Sequence, residues 1–231
     1  MTCIYLIRHG QASFGQDNYD CLSQLGEQQA HLLGQHFSER NIQFDQVVQG
    51  AMQRHAQTAQ HCLLGLNSNQ QQPILDARWN EYDHQDILAQ YEPQCATAQG
   101  VKKWVLAQTN PQTALETLVF NAFTRWIQSE HDKDYQESWS AYQQRIRSAL
   151  AQLTAQQSHG QNIAVFTSGG PIALLCQMLL GVPAVKLMQL NWALVNCGVS
   201  KIIVSRKGPI LSTMNEHAAF DNQQPKFISY K

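Results

Sequence analysis

The sequence predicts an α/β fold, a three-layer α/β/α sandwich built on a largely parallel sheet. Three observations lead there. Short apolar runs rich in β-formers, such as "CIYLIR" and "NIAVF", have the unbroken hydrophobicity of strands buried on both faces. They alternate with segments whose apolar residues fall at helical spacing. The stretch "IAVFTSGGPIALL", Ile163 to Leu175, then passes from strand through a small polar turn into a helix. With 231 residues, 43% of them hydrophobic, the chain can bury a substantial core, and a single domain over 1–231 is the simplest organisation.

Each element follows in order. "CIYLIR" is the first strand, and Ser23 caps a helix running through "LGEQQAHLLGQHFSER", with Leu25, Leu32, Leu33 and Phe37 on one side. "FDQVVQG" is a second short strand. Met52, Ala56, Ala59, Leu63 and Leu66 recur at i, i+4, i+7, i+11 and i+14, a helical stripe from 52 to 66. "PILDA" is a third strand, while glutamine-rich runs such as "NSNQQQP" are loops. From about Tyr82 to Glu137 the pattern changes to polar linkers and one helical run, "ALETLVFNAFTRWIQSEH", expected as a variable insertion on one side of the sheet. Trp139, Tyr142, Ile146, Leu150 and Leu153 form another stripe leading into "NIAVF". The helix after Gly170 is apolar nearly all round and therefore buried. "NWALVN", "SKIIVS" and "PILSTMN" close the chain as late strands.

Composition excludes several classes of function. A net charge of -1 and a pI near 6.7 leave no basic excess for neutralising nucleic-acid phosphates. The one dense basic pair, Lys102 and Lys103, is a solvated helix face. Cys3, Cys21, Cys62, Cys95, Cys176 and Cys197 show neither C-x-x-C pairs nor regular spacing, which argues against a metal site and a disulfide framework. "MTCIYLIRHG" lacks the shape of a signal peptide, and "IALLCQMLLGVPAV" is too short and interrupted to span a bilayer. The expected setting is reducing and cytoplasmic, with no membrane or nucleic-acid partner.

Ligands of open parallel sheets collect beyond the carboxyl ends of the strands, where loops meet helix N-termini. Four such places stand out. Arg8, His9 and Gly10 end the first strand, either as an incidental pair or as a working one. Arg54 lies two residues, roughly 200° of helix rotation, from Met52, and so points away from the core. There it is an exposed arginine or an anion ligand. His55 and His61 lack metal-ligand spacing and are expected on the surface. Glu81, Asp83 and His84 crowd after the third strand, as solvated loop residues or as part of a site. Ser168, Gly169 and Gly170 precede Pro171, which suits the first helical position; the glycines serve the turn's geometry, or their amides face a ligand.

"LIRHGQAS" with "CLSQLGEQQA", and "GAMQRHAQTA" after them, resemble the two signatures of the histidine phosphatase superfamily, which includes the cofactor-dependent phosphoglycerate mutases. The likeness spans most of the chain and implies a phosphatase chemistry. His9 would attack phosphorus in line and form a phosphohistidine. It must be neutral to do so, and Arg8 beside it disfavours a second positive charge. Arg8 and Arg54 would hold the phosphoryl oxygens through charge-assisted bonds. Glu81 lies where the family places its general acid. The resemblance calls for no metal and no cofactor, and implies a small phosphorylated substrate or a phosphoprotein.

The chain departs from the family at the late strand, where Ser168 stands in place of a second histidine, and after Gly10, where Ala12 and Gly15 replace Thr and Asn. Ser13, Gln16 or Asn18 are candidates for the missing polar contacts. Ser168 and the Gly169 amide are expected to hold phosphate, with His84 a candidate for the missing imidazole. "EYDHQDILAQYE" also departs from the glycerate phosphate mutases, which run Glu-Arg-His-Tyr-Gly, so hydrolysis is favoured over mutase activity. Trp104, Phe120, Phe123 and Trp126, at near-helical spacing, are expected as core in preference to a lid. Two other readings stay open: a non-catalytic module binding a phosphorylated ligand at Arg8 and Arg54, and a hydrolase using Ser168. The second lacks the glycine a nucleophile elbow needs, since Phe166 occupies that place.

Overall fold

A computed structural model describes residues 1–13, 20–68, 71–155, 160–221 and 225–230. Among these, six strands form one sheet: β1 (Thr2–Arg8), β2 (Gln46–Gln49), β3 (Ile74–Leu75), β4 (Asn162–Thr167), β5 (Val199–Ser205) and β6 (Gly208–Glu216). Their order is β3-β2-β4-β1-β5-β6, parallel from β3 to β1 and antiparallel across β5 and β6. The register sets Arg8 opposite Thr167, and Gln49 opposite Phe166. The ends of β1, β4 and β2 therefore lie side by side, and the loops leaving them emerge at one edge.

Alternation along each strand divides the core in two. Ile4, Leu6, Val48, Ile163 and Val165 face one side of the sheet. There they meet α6 (Trp139–Ala155), α7 (Gly169–Leu180), and the helices α3 (His84–Tyr91), α4 (Ala98–Leu106) and α5 (Pro111–Ile127). Tyr5, Ile7, Val47, Ala164 and Phe166 face the other, against α1 (Gln24–Glu39) and α2 (Gln53–Gly65). That is the three-layer sandwich the alternation of strands and helices predicts. Ser23 caps α1 as expected, accepting from the Gly26 amide at 3.1 Å, and the Trp139 to Leu153 stripe of α6 is buried throughout. No helix among the described residues is long and apolar enough to cross a membrane.

Four local expectations give way. The buried face of α2 carries Arg54, His55, Thr58, Ala59, Cys62 and Leu63, while Met52 and Ala56 are only partly covered, because the start of this helix turns polar side chains toward the loop edge. "NWALVN" is split between α8 (Leu187–Ala193) and an irregular segment. The Asn215 side chain takes the Val195 N–H and donates to the Ala193 carbonyl, each at 2.7 Å, supplying bonds that a neighbouring strand would otherwise make. Pro171 is the third residue of α7, which already begins at Gly169. Of the four aromatics between 104 and 126, Phe123 and Trp126 are core, packed with Tyr82, whereas Phe120 is exposed and Trp104 half-buried.

Candidate active site

The three adjacent strand ends are tied to one another by main-chain bonds. His9 N–H donates to the Thr167 carbonyl at 2.9 Å, and Gly50 N–H to the Phe166 carbonyl at 3.0 Å. Thr58 of α2 locks the first loop, its hydroxyl accepting the Gly10 N–H at 3.0 Å and donating to the Arg54 carbonyl at 2.6 Å. The loop also presses on α1. A Cβ on residue 10 would fall 2.5 Å from the Gly26 carbonyl oxygen, so only glycine permits that approach.

His9 is 6% exposed. Its Nδ1 lies 2.7 Å from the Gly10 carbonyl, an oxygen that can only accept, so Nδ1 carries the proton and Nε2 is left as the lone-pair nitrogen. Burial holds the imidazole well below its ordinary range, and the charges of Arg54 and Arg8 and the neighbouring His55 push the same way. The ring is therefore neutral at neutral pH.

Arg8 donates through Nη1 to the Leu194 carbonyl and through Nη2 to the Tyr230 carbonyl, the latter at 3.1 Å. Arg54 is buried at 7% exposure, in contrast to a surface arginine: its Nη1 meets Asp20 Oδ1 at 2.8 Å, and Asp20 Oδ2 accepts the Gln53 N–H at the same distance. Glu81 receives the Gly170 N–H on Oε2 at 3.1 Å and the Tyr82 N–H on Oε1 at 3.3 Å. Burial raises its pKa, opposed by those two bonds and by Arg54 and Arg8. Both arginines thus act electrostatically on both His9 and Glu81.

Ser168, fully buried, continues β4 beside His9, and Gly169 borders Arg8, whose Nε lies 3.6 Å from where a Cβ on residue 169 would stand. The α7 amides are not all available, since that of Gly170 is engaged by Glu81. Ser13 is buried with its hydroxyl donated to the Leu22 carbonyl at 2.8 Å, bracing the loop. His84 is exposed at the first residue of α3, within electrostatic reach of Arg54. Gly15, Gln16 and Asn18 lie outside the described residues.

The expectation that His55 is a surface residue is overturned: it is fully buried, with Nε2 at 2.7 Å from Ser168 Oγ. Residues 55, 58, 59, 62 and 66 recur at helical spacing, a signal for this face that the stripe from Met52 conceals. Asp20 and Thr58 are the other residues that motif reasoning leaves unassigned. Among the described residues there is no group of three or more His, Cys, Asp or Glu placed to hold a metal ion.

A two-faced α/β sheet that brings two arginines and a neutral histidine to its loop edge has the charge and donors suited to an anion. The family model for the histidine phosphatase superfamily (branch 1) matches residues 4–217, and the chain belongs to that superfamily. Solved structures of the same fold include a phosphoserine phosphatase from Entamoeba histolytica, 18% identical, with a TM-score of 0.66 over 95% of this chain and 100% of that one. A phosphoglycerate mutase from Bacillus anthracis is 17% identical, with a TM-score of 0.65 over 94% of each chain. An alpha-ribazole phosphatase from Shigella flexneri is 20% identical, with a TM-score of 0.62 over 94% of this chain and 97% of that one. A search of the curated proteins gave no match. Family and neighbours together support a function of the phosphatase or mutase type.

Proposed function

We propose that the protein is a phosphomonoester hydrolase working through a phosphohistidine on His9. The observation that carries this reading is the bond from His9 Nδ1 to the Gly10 carbonyl, which leaves Nε2 unprotonated on a ring that feels the charges of Arg54 and Arg8. Nε2 attacks phosphorus, the P–O bond to the leaving group breaks, and the Glu81 carboxyl gives that oxygen its proton. Glu81, now a carboxylate, takes a proton from water as the water oxygen attacks phosphorus. The P–N bond breaks, releasing phosphate and neutral His9. Burial of Glu81 favours the protonated starting form that the first step needs.

Arg8 and Arg54 supply the positive charge that offsets the phosphoryl oxygens, with Ser168 and Gly169 forming the facing wall and His84 and Ser13 at the margin. The substrate class is a small phosphorylated molecule or a phosphoprotein; the departure after Glu81 favours hydrolysis over mutase transfer. The test is incubation with p-nitrophenyl phosphate and with 32P-labelled phosphomonoesters. Turnover and an acid-labile, alkali-stable phosphoenzyme, both lost in His9→Ala, are expected. Tight phosphate binding without either would leave the non-catalytic reading, which the serine at 168 favours.

A further inference from the structure

His55 and Ser168 come from different elements, α2 and the end of β4, yet share a hydrogen at 2.7 Å inside a fully buried contact. The His55 ring centroid also lies 5.9 Å from that of His9. Where the shared hydrogen sits decides what Ser168 can do. If Ser168 donated to Nε2, its one proton would be spent and the imidazole proton would sit on Nδ1, which is buried and has no hydrogen-bond partner among the described residues. An orphaned buried N–H is a rare and costly defect, whereas an unpaired acceptor is better tolerated. The other arrangement puts the proton on Nε2, donated to Ser168 Oγ, leaves a bare lone pair at Nδ1, and frees the buried Ser168 proton for an acceptor that a bound phosphoryl oxygen would supply.

The packing fixes the ring in that role. A Cβ on residue 50 would fall 2.3 Å from His55 Nδ1, so the glycine that follows β2 backs directly onto the ring. His55 also stays neutral, its pKa lowered to about 3 by burial and by Arg54, so it offers one donor and no charge. Ser168 adjoins Thr167, whose carbonyl holds the His9 N–H, which sets the serine beside the main chain of His9.

We infer that His55 is a positioning residue: its Nε2–H holds Ser168 Oγ so that the serine's own proton is presented to a phosphoryl oxygen at His9. The inference rests on the phosphate-site reading of His9. One imidazole thereby acts through a hydroxyl, with each of the two groups placed by a separate strand end. Sequence spacing cannot show such a pair, because its members are 113 residues apart.

Long-range 15N–1H spectroscopy of the histidine rings in the intact protein reads the tautomer directly. A proton on His55 Nε2 supports the inference, and one on Nδ1 overturns it. Kinetics on p-nitrophenyl phosphate supply a second readout. Ser168→Ala is expected to lower kcat on the order of a hundredfold, as loss of one donor to a transition-state oxyanion does. His55→Phe, which removes the donor but fills the slot, should lower kcat similarly with less effect on KM, and should add nothing in the Ser168→Ala background. His55→Gln, which retains an N–H, should recover most of the loss. Losses that multiply in the double variant would overturn the pairing. A wild-type protein with neither turnover nor phosphoenzyme would defeat the hydrolase reading alone. Equilibrium binding of orthovanadate would then report on the pair: weaker binding in both variants, without additivity, supports it, while equal binding, or none in the wild type, overturns it.

Discussion

The amide of Gly170 donates to Glu81 Oε2 across 3.1 Å, so the first turn of α7 grips the carboxyl that burial pushes toward its neutral form. Charge and the Gly170 and Tyr82 amides favour the carboxylate, desolvation favours the acid, and desolvation is the larger influence. Glu81→Gln keeps an acceptor for the amide while removing the transferable proton. It is expected to lower kcat by about 10²- to 10⁴-fold on alkyl phosphates, the usual range for a general acid. In kcat/KM, which reports only the steps up to phosphoenzyme formation, the loss should be much smaller on p-nitrophenyl phosphate, whose leaving group departs without a proton. Equal losses of kcat/KM on both substrates would remove Glu81 from protonation of the leaving group.

The same carboxyl gives a stability prediction. With its folded pKa raised, the native state holds the Glu81 proton more tightly than the unfolded chain does. That stabilisation is complete below the unfolded value and is lost as pH rises through the folded one. Glu81→Gln has no such proton to lose. The melting temperature of the variant should therefore gain on the wild type as pH is raised from 4 to 8, measured by calorimetry across that range.

His55 works in the opposite direction. Its folded pKa is depressed to about 3, so the unfolded chain binds its proton first, and the resulting stability, present above the unfolded value, drains away as pH falls toward about 3. His9 contributes in the same sense. Replacing His55 by Gln removes its share, so the melting temperature of the variant should fall less steeply than the wild type's between pH 6.5 and 4. Parallel slopes would mean that His55 is not buried in its neutral form.

Which parts of this arrangement were legible in the sequence follows from what each depends on. β1, β4, β5, α1 and α6 are set by local periodicity and by caps, and the chain shows them openly. Arg8, His9 and Arg54 sit at a strand end or a helix start, and Glu81 in the loop that follows β3, where the two signatures and the topology point. The His55–Ser168 bond and the Arg54–Asp20 pair are different, because they depend on register between segments far apart in the chain. "NWALVN" misleads for a related reason: its β-like composition is outweighed by side-chain bonds from Asn215, on a strand that comes later.

The pair of Arg54 and Asp20 predicts a trade between binding and fold. Asp20 reaches Arg54 through Oδ1 and the Gln53 N–H through Oδ2, doing for α2 what a capping side chain does for a helix start. Asp20→Ala should cost about 0.5–2 kcal/mol, the range for a lost cap, read as a lower midpoint in urea. It should also raise KM, since Arg54 loses its orienting partner. Arg54→Gln acts on the chemistry: without that charge the His9 pKa moves up, so the acid limb of kcat/KM should shift to higher pH than in the wild type. An unmoved acid limb would show that the limb belongs to another group.

A chain of side chains behind His9 leads to the last prediction. Gln29 of α1, fully buried, accepts the Gln11 N–H at 2.9 Å and donates to Ser229 Oγ at the same distance. Ser229 Oγ donates to Asn196 Oδ1 at 2.9 Å, and Asn196 Nδ2 donates to the His9 carbonyl at 3.1 Å. The C-terminal residues that carry Ser229 also bring the Tyr230 carbonyl to Arg8. A segment remote in sequence thus holds both the main chain of His9 and the guanidinium beside it. Ser229→Ala leaves the Asn196 oxygen without its donor, a defect of about 1–3 kcal/mol. In a protein of this size each kcal/mol lowers the melting temperature by about 2–4 °C. The catalytic cost should appear as a reduced rate of phosphoenzyme formation, because His9 keeps its chemistry but loses part of its support. Ser229→Thr, which restores the hydroxyl, should recover both readouts together. Recovery of stability alone would detach the C-terminal bonds from the reaction and make them scaffold only.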